Sequence, residues 1–368
     1  MIKLSKSDIG IYEILAVFKV LKKAYLGMGY EVQLFEDNLK KTFKREVVCV
    51  SSGTAALQLA IESCDIGIGD EILVPSFTFV ATFQAISATG AKPISCDINP
   101  NTLLIDLKDA EKKLTKKTKA IIPVYFTGGV GEIDKTHEFA LRNNIRIIED
   151  AAHAFGTSFK NKLIGSFGDI TCFSFDGIKN ITSGEGGCVI SNDQEVIEKI
   201  KNKRLLGVIN DTQNRYSGKR SWEFDVREQG WRYHMSNIFA AIGNAQLNRF
   251  KEFSSKRREL AKLYDKQFKN CNNIFPIKRN YQEVVPHIYV VRLASNINRE
   301  EIRHSLLKLN IEIGFHYYPN HQLTFYKTEV TLPETEKIYK SLISLPLHTK
   351  LNFKQIKIVS KALIDLVE

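Results

Sequence analysis

Residues 172–191 read Cys-Phe-Ser-Phe-Asp-Gly-Ile-Lys-Asn-Ile-Thr-Ser-Gly-Glu-Gly-Gly-Cys-Val-Ile-Ser. The two ends of this stretch, 173–175 and 188–191, are typical of buried strands, and a turn followed by a glycine-rich run connects them. The connection contains one lysine, Lys179. Most lysines are solvated surface charges, but glycines beside buried strands allow the backbone to close tightly around a ligand. A desolvated Lys179 has a lowered pKa and a free amine, as an imine-forming nucleophile requires.

An earlier segment, residues 47–64, begins with β-branched residues, continues through Ser-Ser-Gly-Thr and ends with the composition of a helix. A strand that leads into a helix N-terminus exposes free amides, here at Gly53 and Thr54, and the helix dipole favours an anion there. A plain strand-to-helix turn has the same pattern. Phosphate binding and a purely structural turn therefore both stay open for this segment.

The order of strands and helices predicts the fold class. Strand patterns at 93–97 and 120–124 alternate with helical patterns near 107–114 and 134–143, which predicts a parallel sheet with helices on both faces. A chain of 368 residues exceeds what one hydrophobic core usually supports. We therefore expect a large and a smaller domain, with a long charged helix at 250–268 leading into the second.

Composition excludes several classes of protein. The chain has no run of about 18 apolar residues, so we expect no membrane-spanning helix, and its first residues lack the pattern of an export signal. The six cysteines are scattered without a Cys-x-x-Cys pair, which argues against a disulfide framework or a zinc site and favours a cytoplasmic location.

The glycines at 67 and 69 lack the third glycine of the dinucleotide fingerprint and precede a strand, which excludes a nicotinamide enzyme.

The pattern Phe-Ser-Phe-x-x-x-Lys-x-x-x-x-Gly-Glu-Gly-Gly in residues 173–187 resembles the lysine loop of the DegT-type nucleotide-sugar aminotransferases, which use pyridoxal 5′-phosphate (PLP). The resemblance extends over residues 10–366, with the motifs in the family's order. It implies a fold-type-I PLP-dependent transferase in the α/β class, with a mostly parallel central sheet flanked by helices. The large domain would comprise residues 1–248, and a smaller C-terminal α+β domain would comprise residues 249–368.

The resemblance also implies roles for individual residues around the cofactor ring. Lys179 would bind PLP covalently and then act as the general base that moves a proton. Asp150, in Ile-Ile-Glu-Asp-Ala-Ala-His, would keep the ring nitrogen protonated, which makes the ring an electron sink. Phe79 would stack on the ring, and His153 would lie against its substituents.

The predicted phosphate site uses two parts of the chain. Gly53, Thr54 and Ser174 would bind the cofactor phosphate from their own subunit. In the family, the segment that matches residues 230–247 reaches the neighbouring subunit's cofactor phosphate, usually through an Asn before its tyrosine and a Lys or Arg after it. This chain has Arg232 and His234 at those positions, so the identity of the cross-subunit donor stays open. The resemblance thus predicts a homodimer with shared active sites.

The predicted substrate contacts come from the aromatic loop at 314–321, which the family uses to face its substrate. They are His316, Tyr318 and His321, of which His321 follows Pro-Asn where the family has Pro-Leu.

A net charge of +11 fits anionic partners. Because the lysines are spread along the chain and no nucleic-acid-binding motif is present, we expect no nucleic-acid partner.

The resemblance predicts transfer of an amino group from L-glutamate, by way of pyridoxamine 5′-phosphate, to a keto-sugar linked to a nucleotide diphosphate. The expected substrate is a 4-keto-6-deoxyhexose used for a surface polysaccharide, such as the O-antigen of a lipopolysaccharide, or another glycoconjugate. A 3-keto sugar is the alternative substrate. A PLP-dependent sugar dehydratase is a second alternative, but members with that activity replace the lysine with histidine. A non-catalytic regulator on the same fold is a third. The nucleotide, the sugar and the ring position stay open.

Overall fold

A computed structural model describes all 368 residues, and strands alternate with helices through most of the chain. The helices are α1 (Ile11–Lys23), α2 (Tyr30–Phe43), α3 (Gly53–Ser63), α4 (Val80–Ala88), α5 (Leu107–Lys112), α6 (Ile133–Arg142), α7 (Gln194–Lys203), α8 (Asp211–Tyr216), α9 (Asn237–Phe268), α10 (Arg299–Lys308), α11 (Pro333–Ser341) and α12 (Phe353–Val367). The strands are β1 (Glu46–Val50), β2 (Glu71–Pro75), β3 (Lys92–Cys96), β4 (Thr118–Ile121), β5 (Arg146–Asp150), β6 (Ser158–Phe159), β7 (Lys162–Leu163), β8 (Ile170–Ser174), β9 (Gly187–Ser191), β10 (Ile274–Pro276), β11 (Tyr289–Leu293) and β12 (Leu342–Leu345).

The central sheet has seven strands in the order β1-β9-β8-β5-β4-β2-β3. Strands β2, β3, β4, β5 and β8 pair in parallel, whereas β9 is antiparallel to both of its neighbours. Strand β1 therefore runs in the same direction as the parallel strands. Helix α3 packs on the sheet, and the apolar side chains between them form a fully buried core. This architecture confirms the predicted α/β fold with a mostly parallel central sheet.

The direction of the strands determines where the chemically important residues lie. Strands β1, β2, β5 and β8 all end at the same edge of the sheet, and in open α/β sheets ligands bind outside the carboxyl ends of the strands. The segments that carry the sequence motifs follow these strands directly. The fold therefore gathers distant motifs at one edge.

A three-stranded antiparallel sheet, β10-β11-β12, forms the second and smaller layer. Helix α9 connects it to the central sheet and starts at Asn237, earlier than the predicted start at 250. The hydroxyl of Ser236 accepts the amide hydrogen of Phe239 and begins the helix there. The proposed boundary at 248/249 lies inside α9, and Ile2 pairs with Ile311 beside the small sheet. The division into 1–248 and 249–368 stays a proposal.

A buried ion pair supports the last part of strand β1. The side chain of Arg204 is fully buried, and its Nη1 donates to Glu36 Oε1 at 2.5 Å and to the carbonyl of Cys49 at 2.7 Å. Glu36 Oε1 also accepts the amide hydrogen of Cys49 at 2.7 Å. Removing one member of such a pair leaves an uncompensated charge, which is strongly destabilising. The pair therefore holds α2, β1 and the end of α7 in one arrangement, directly before the Ser-Gly-Thr turn.

No helix of the chain combines the length and the apolar character that crossing a membrane requires. All six cysteines are free.

Candidate active site

A cavity of about 420 Å³ lies at the carboxyl ends of the central strands. Most of the predicted site residues line it, although they come from distant parts of the sequence. The predicted residues in its wall are Gly53, Thr54, Phe79, Asp150, His153, Ser174, Lys179 and His316. The predicted residues outside its wall are Arg232, His234, Tyr318 and His321.

One end of the cavity is formed by the turn between β1 and α3. The backbone amides of Gly53 and Thr54 are at the first helical positions, where an α-helix leaves its amides without partners, and no group of the chain accepts from them. A Cβ atom at Gly53 would lie 2.7 Å from Cβ of Ser174, and one at Gly187 would lie 2.6 Å from the carbonyl oxygen of Ser52. Only glycines allow this close approach. The turn is therefore a compact anion cradle with two free amides.

The amine of Lys179 faces this cavity without a partner. Its Nζ takes part in none of the chain's hydrogen bonds or ion pairs, although Asp150 and Asp176 also line the cavity. Burial lowers the pKa of Lys179 below its usual value, and the nearby charge of Arg257 acts in the same direction, while the two aspartates oppose it. A larger fraction of the amine is therefore unprotonated and nucleophilic at neutral pH than for a surface lysine.

Asp150, the last residue of β5, is buried and held by two hydrogen bonds. The hydroxyl of Thr82 donates to Oδ2 at 2.8 Å, and the amide of Ala152 donates to Oδ1 at 3.2 Å. Burial raises the pKa of Asp150, whereas these hydrogen bonds and the charge of Lys179 lower it. A cationic N–H group placed against this carboxylate would also favour its ionised form. The buried carboxylate of Asp150 thus has the hydrogen-bond partners that a buried acid needs. One of them, Thr82, was not among the site residues predicted from the sequence.

Phe79 lies at the N-terminus of α4 and lines the cavity wall, where the residue is 55% exposed. The turn that carries it is held by residues from the far end of the chain. Asn320 Nδ2 donates to the carbonyl oxygens of Ser76 and Thr78 at 3.0 Å and 2.7 Å. An open aromatic face on a fixed turn is suited to stacking on a flat ring.

His153 and Tyr317 form the adjoining wall. The ring nitrogens of His153 are both engaged, Nδ1 by the amide of Thr127 at 3.4 Å and Nε2 by the hydroxyl of Tyr317 at 3.1 Å. The rings of Tyr317 and Phe79 are tilted, with centroids 5.5 Å apart. The sequence drew attention to the aromatic loop but not to Tyr317 itself. Its neighbour His316 also lines the cavity, and its Nδ1 lies 2.8 Å from the hydroxyl oxygen of Ser344.

The other two predicted substrate contacts lie elsewhere. Tyr318 is half-exposed and packs edge-on against Tyr339. His321 is only 3% exposed; its Nδ1 lies 2.7 Å from the Ser76 hydroxyl oxygen, and its Nε2 lies 3.2 Å from Glu336. Direct contact between His321 and a substrate therefore has no support in this arrangement, because both ring nitrogens are engaged inside the chain. His321 instead stabilises the turn that carries Phe79.

Arg232 and His234 lie beside strand β1, outside the cavity of their own chain. His234 pairs with Val50 through the backbone, and the carbonyl of Tyr233 accepts the amide hydrogen of Ser51 at 2.7 Å. Arg232 is exposed to solvent. Burial, together with the charges of Arg232 and other arginines, lowers the pKa of His234 to about 4. His234 is therefore neutral at neutral pH, whereas Arg232 is a free cation.

The charge in the cavity wall is mostly negative. Asp150, Asp176 and Glu185 are the acids of this wall, and Lys179 is its only lysine or arginine. The carboxylate of Glu185 has no hydrogen-bond or ion-pair partner in the chain, and burial raises its pKa. Glu185 belongs to the motif Gly-Glu-Gly-Gly, but the spacing of that motif does not indicate that its glutamate borders the cavity.

These residues fit a phosphorylated, aldehyde-bearing aromatic cofactor. The open amides of Gly53 and Thr54 suit its phosphate, the unpaired amine of Lys179 suits its aldehyde, the carboxylate of Asp150 suits a ring N–H group, and the exposed ring of Phe79 suits its face.

Comparisons with known proteins agree with this chemistry. Residues 8–364 match the sequence profile of the DegT/DnrJ/EryC1/StrS aminotransferase family. The UDP-4-amino-4,6-dideoxy-N-acetyl-β-L-altrosamine transaminase of Campylobacter jejuni is 35% identical over 379 residues, which cover 100% of this chain and 98% of that protein. The spore coat polysaccharide biosynthesis protein SpsC of Bacillus subtilis is 34% identical, over 98% of this chain and 95% of that protein. The solved PLP form of Spr1654 from Streptococcus pneumoniae superposes with a TM-score of 0.90 at 30% identity, over 100% of this chain and 98% of that chain.

The unpaired amine leads to a direct labelling experiment. We expect the purified protein to be yellow, and borohydride reduction to abolish the visible absorption and attach the cofactor to Lys179 only, as peptide mass spectrometry will locate. Lys203 is an internal control, because it is also buried but forms an ion pair with Glu228 at 2.7 Å. Its paired ammonium should stay unlabelled. Label on any lysine other than Lys179 would contradict the assignment.

Proposed function

This chain belongs to the DegT/DnrJ/EryC1/StrS family of PLP-dependent aminotransferases, and we propose that it aminates carbon 4 of a nucleotide-linked 4-keto-6-deoxyhexose with L-glutamate as the amino donor. The observation that carries the proposal is the unpaired amine of Lys179 in a cavity that also contains Asp150 and the open amides of the cradle. The name of the Campylobacter relative, which describes an amino group at carbon 4 of a 4,6-dideoxy sugar, supports this ring position.

Bound PLP supplies an electron-withdrawing ring that makes the hydrogen on the amine-bearing carbon acidic. The residues of the chain provide the rest. Lys179 would hold the cofactor through its aldehyde, and its amine, once freed, would act as the neutral base that moves the proton. The carboxylate of Asp150, held by Thr82 and the amide of Ala152, would keep the ring nitrogen protonated. Phe79 would stack on the ring, and Gly53, Thr54 and Ser174 would bind the phosphate.

The alternatives predict different residues or products. A PLP-dependent sugar dehydratase of this family has histidine in place of the lysine, and this chain has Lys179. A regulator without catalytic activity would not need the free amine or the anion cradle. A 3-keto sugar stays the alternative substrate, because the same cavity can accept the ring turned over. SpsC is named for polysaccharide biosynthesis, which supports a product destined for a surface polysaccharide or glycoconjugate.

We further propose that the active protein is a homodimer. The large apolar side chains of α1 form a stripe at helical spacing that faces solvent in the single chain; it consists of Ile11, Ile14, Leu15, Phe18 and Leu21, each about half exposed. A groove of about 980 Å³ runs between α1, α2 and α9 beside this stripe. Exposed apolar patches of this kind mark interaction sites. Arg232 lies outside the cavity of its own chain and is exposed to solvent, which fits a contact with the cofactor phosphate of a second copy.

The substrate is tested with a panel of UDP- and dTDP-linked 4-keto-6-deoxyhexoses and their 3-keto counterparts, each incubated with ¹⁵N-labelled L-glutamate. We expect the label in a 4-amino product, detected by mass spectrometry and located by NMR, and no product with Lys179→Ala. Amination of 3-keto sugars alone would favour the alternative ring position. No amination of any member, with the glutamate half-reaction intact, would contradict the substrate class.

The role of Asp150 is tested by Asp150→Asn. The variant should retain the cofactor through Lys179 and the cradle, but turnover should fall about 100- to 1,000-fold, the usual loss when a group that stabilises developing charge is removed. Glu149→Gln is the matched control, because Glu149 is equally buried on the same strand but is hydrogen-bonded to Tyr125 and Thr171 instead of lining the cavity. Normal turnover in Asp150→Asn would remove Asp150 from its role.

The homodimer is tested by placing a charge in the exposed stripe. We expect Phe18→Asp to sediment as a monomer at micromolar concentration and to lose activity, because a carboxylate in an apolar interface is not solvated. Leu307→Asp makes the same kind of change at a half-exposed site on α10, and this variant should stay dimeric and active. An active monomer, in the wild-type protein or in Phe18→Asp, would show that the site does not require a second copy.

A further inference from the structure

The hydrogen bonds of His153 have a fixed direction. The amide of Thr127 can only donate, so Nδ1 of His153, 3.4 Å away, must accept. Burial lowers the pKa of His153 well below its usual value, so the ring is neutral and carries its single proton on Nε2. Nε2 lies 3.1 Å from the hydroxyl oxygen of Tyr317. His153 therefore donates to Tyr317, and the tyrosine oxygen accepts.

The surroundings hold this arrangement in place. Thr127 has a left-handed backbone with φ of 60°, which is uncommon for threonine. Arg279 fixes it by donating to the Thr127 hydroxyl at 3.1 Å and to the carbonyl of Thr102 at 2.9 Å. The ring of His287 packs against the other side of His153, with ring centroids 4.3 Å apart. The direction of donation at Tyr317 is therefore a property of the folded chain.

The hydrogen of the Tyr317 hydroxyl is left without an acceptor. Its oxygen is already used by His153, no other group of the chain bonds to this hydroxyl, and the residue lines the cavity. Burial, reinforced by the charges of Asp150 and Asp176, raises the pKa of Tyr317, so the hydroxyl stays protonated. Tyr317 thus presents one free donor to the cavity, which suits a ligand group that accepts a hydrogen bond.

The charges of the cavity indicate which ligand group this is. An amino-acid donor brings carboxylates into a wall to which its own chain contributes three acids and no arginine. Lys179 is the only lysine or arginine in this wall, and the proposed mechanism uses its amine for the cofactor and for proton transfer, so it is not a partner for the carboxylates. A carboxylate accepts and cannot donate, and its hydrogen bonds are strong because it is charged. We propose that the Tyr317 hydroxyl binds a carboxylate of the amino-acid donor, with His153 as its positioning residue; this inference rests on the proposed transamination.

The test compares Tyr317→Phe with Tyr318→Phe in the cofactor-loaded protein. Both variants remove one phenolic hydroxyl from adjacent residues, but Tyr318 does not line the cavity. In Tyr317→Phe, kcat/KM for the L-glutamate half-reaction should fall about 10- to 100-fold, as expected for a lost hydrogen bond to a charged group, while the sugar half-reaction changes little. Glutarate, a dicarboxylate that has no amine and cannot react, should bind more weakly by a similar factor in calorimetry. Tyr318→Phe should match the wild type in all three measurements.

Each result has one meaning. Unchanged glutarate binding in Tyr317→Phe, or equal losses in the two half-reactions, would overturn the carboxylate assignment and leave the hydroxyl as a structural partner of His153. A loss in the sugar half-reaction alone would also overturn it. A wild-type protein that does not react with L-glutamate would instead contradict the proposed donor; the comparison would then use the amino acid that reacts, with its deaminated analogue as the binding probe.

Discussion

The isolation of one amine, that of Lys179, is the constraint on which the rest of the site depends. A lysine in a cavity with three carboxylates would ordinarily form an ion pair, which raises its pKa and removes its nucleophilicity. Here Asp150 is held by Thr82 and Ala152, and Asp176 Oδ1 accepts the amide hydrogen of Ile178 in its own turn. Because these two acids are bound to other groups and the Glu185 carboxylate forms no ion pair, the amine stays unpaired and burial lowers its pKa. The acids therefore lie near Lys179 without forming the ion pair that would keep its amine protonated.

The residues that follow a strand could be predicted from the sequence, and those that depend on contacts between distant segments could not. Gly53, Asp150 and Lys179 each come within a few residues of a buried strand, and parallel strands bring such positions to one edge. Tyr317 is positioned at the cavity by a hydrogen bond to His153, which lies 164 residues earlier in the sequence. One partner of His321, Ser76, lies 245 residues away in sequence, so the side chain could not be placed by motif alone.

The same distinction applies to the fold: features set by local sequence patterns could be predicted, and features set by individual contacts could not. Apolar runs and their alternation with helices were sufficient to predict a parallel α/β sheet, because burial on both faces requires nearly continuous apolar strands. The antiparallel direction of β9 follows from the tight loop around Lys179, which returns the chain directly beside β8. The early start of α9 depends on a single hydroxyl, that of Ser236, and one polar residue in a polar loop gives no periodic signal.

The distribution of charge explains how one cavity can serve two substrates in turn. The chain has a net charge of +11, yet its own cavity wall has one lysine, no arginine and three acids. We therefore expect negative groups of ligands to be bound by dipoles, such as the amides of Gly53 and Thr54 and the hydroxyl of Tyr317, or by cations of a second copy, such as Arg232, in the proposed homodimer. A hydrogen bond from a neutral donor is weaker than a buried ion pair and is exchanged without leaving a charge uncompensated. We therefore expect this wall to release an amino acid and admit a sugar without rearrangement.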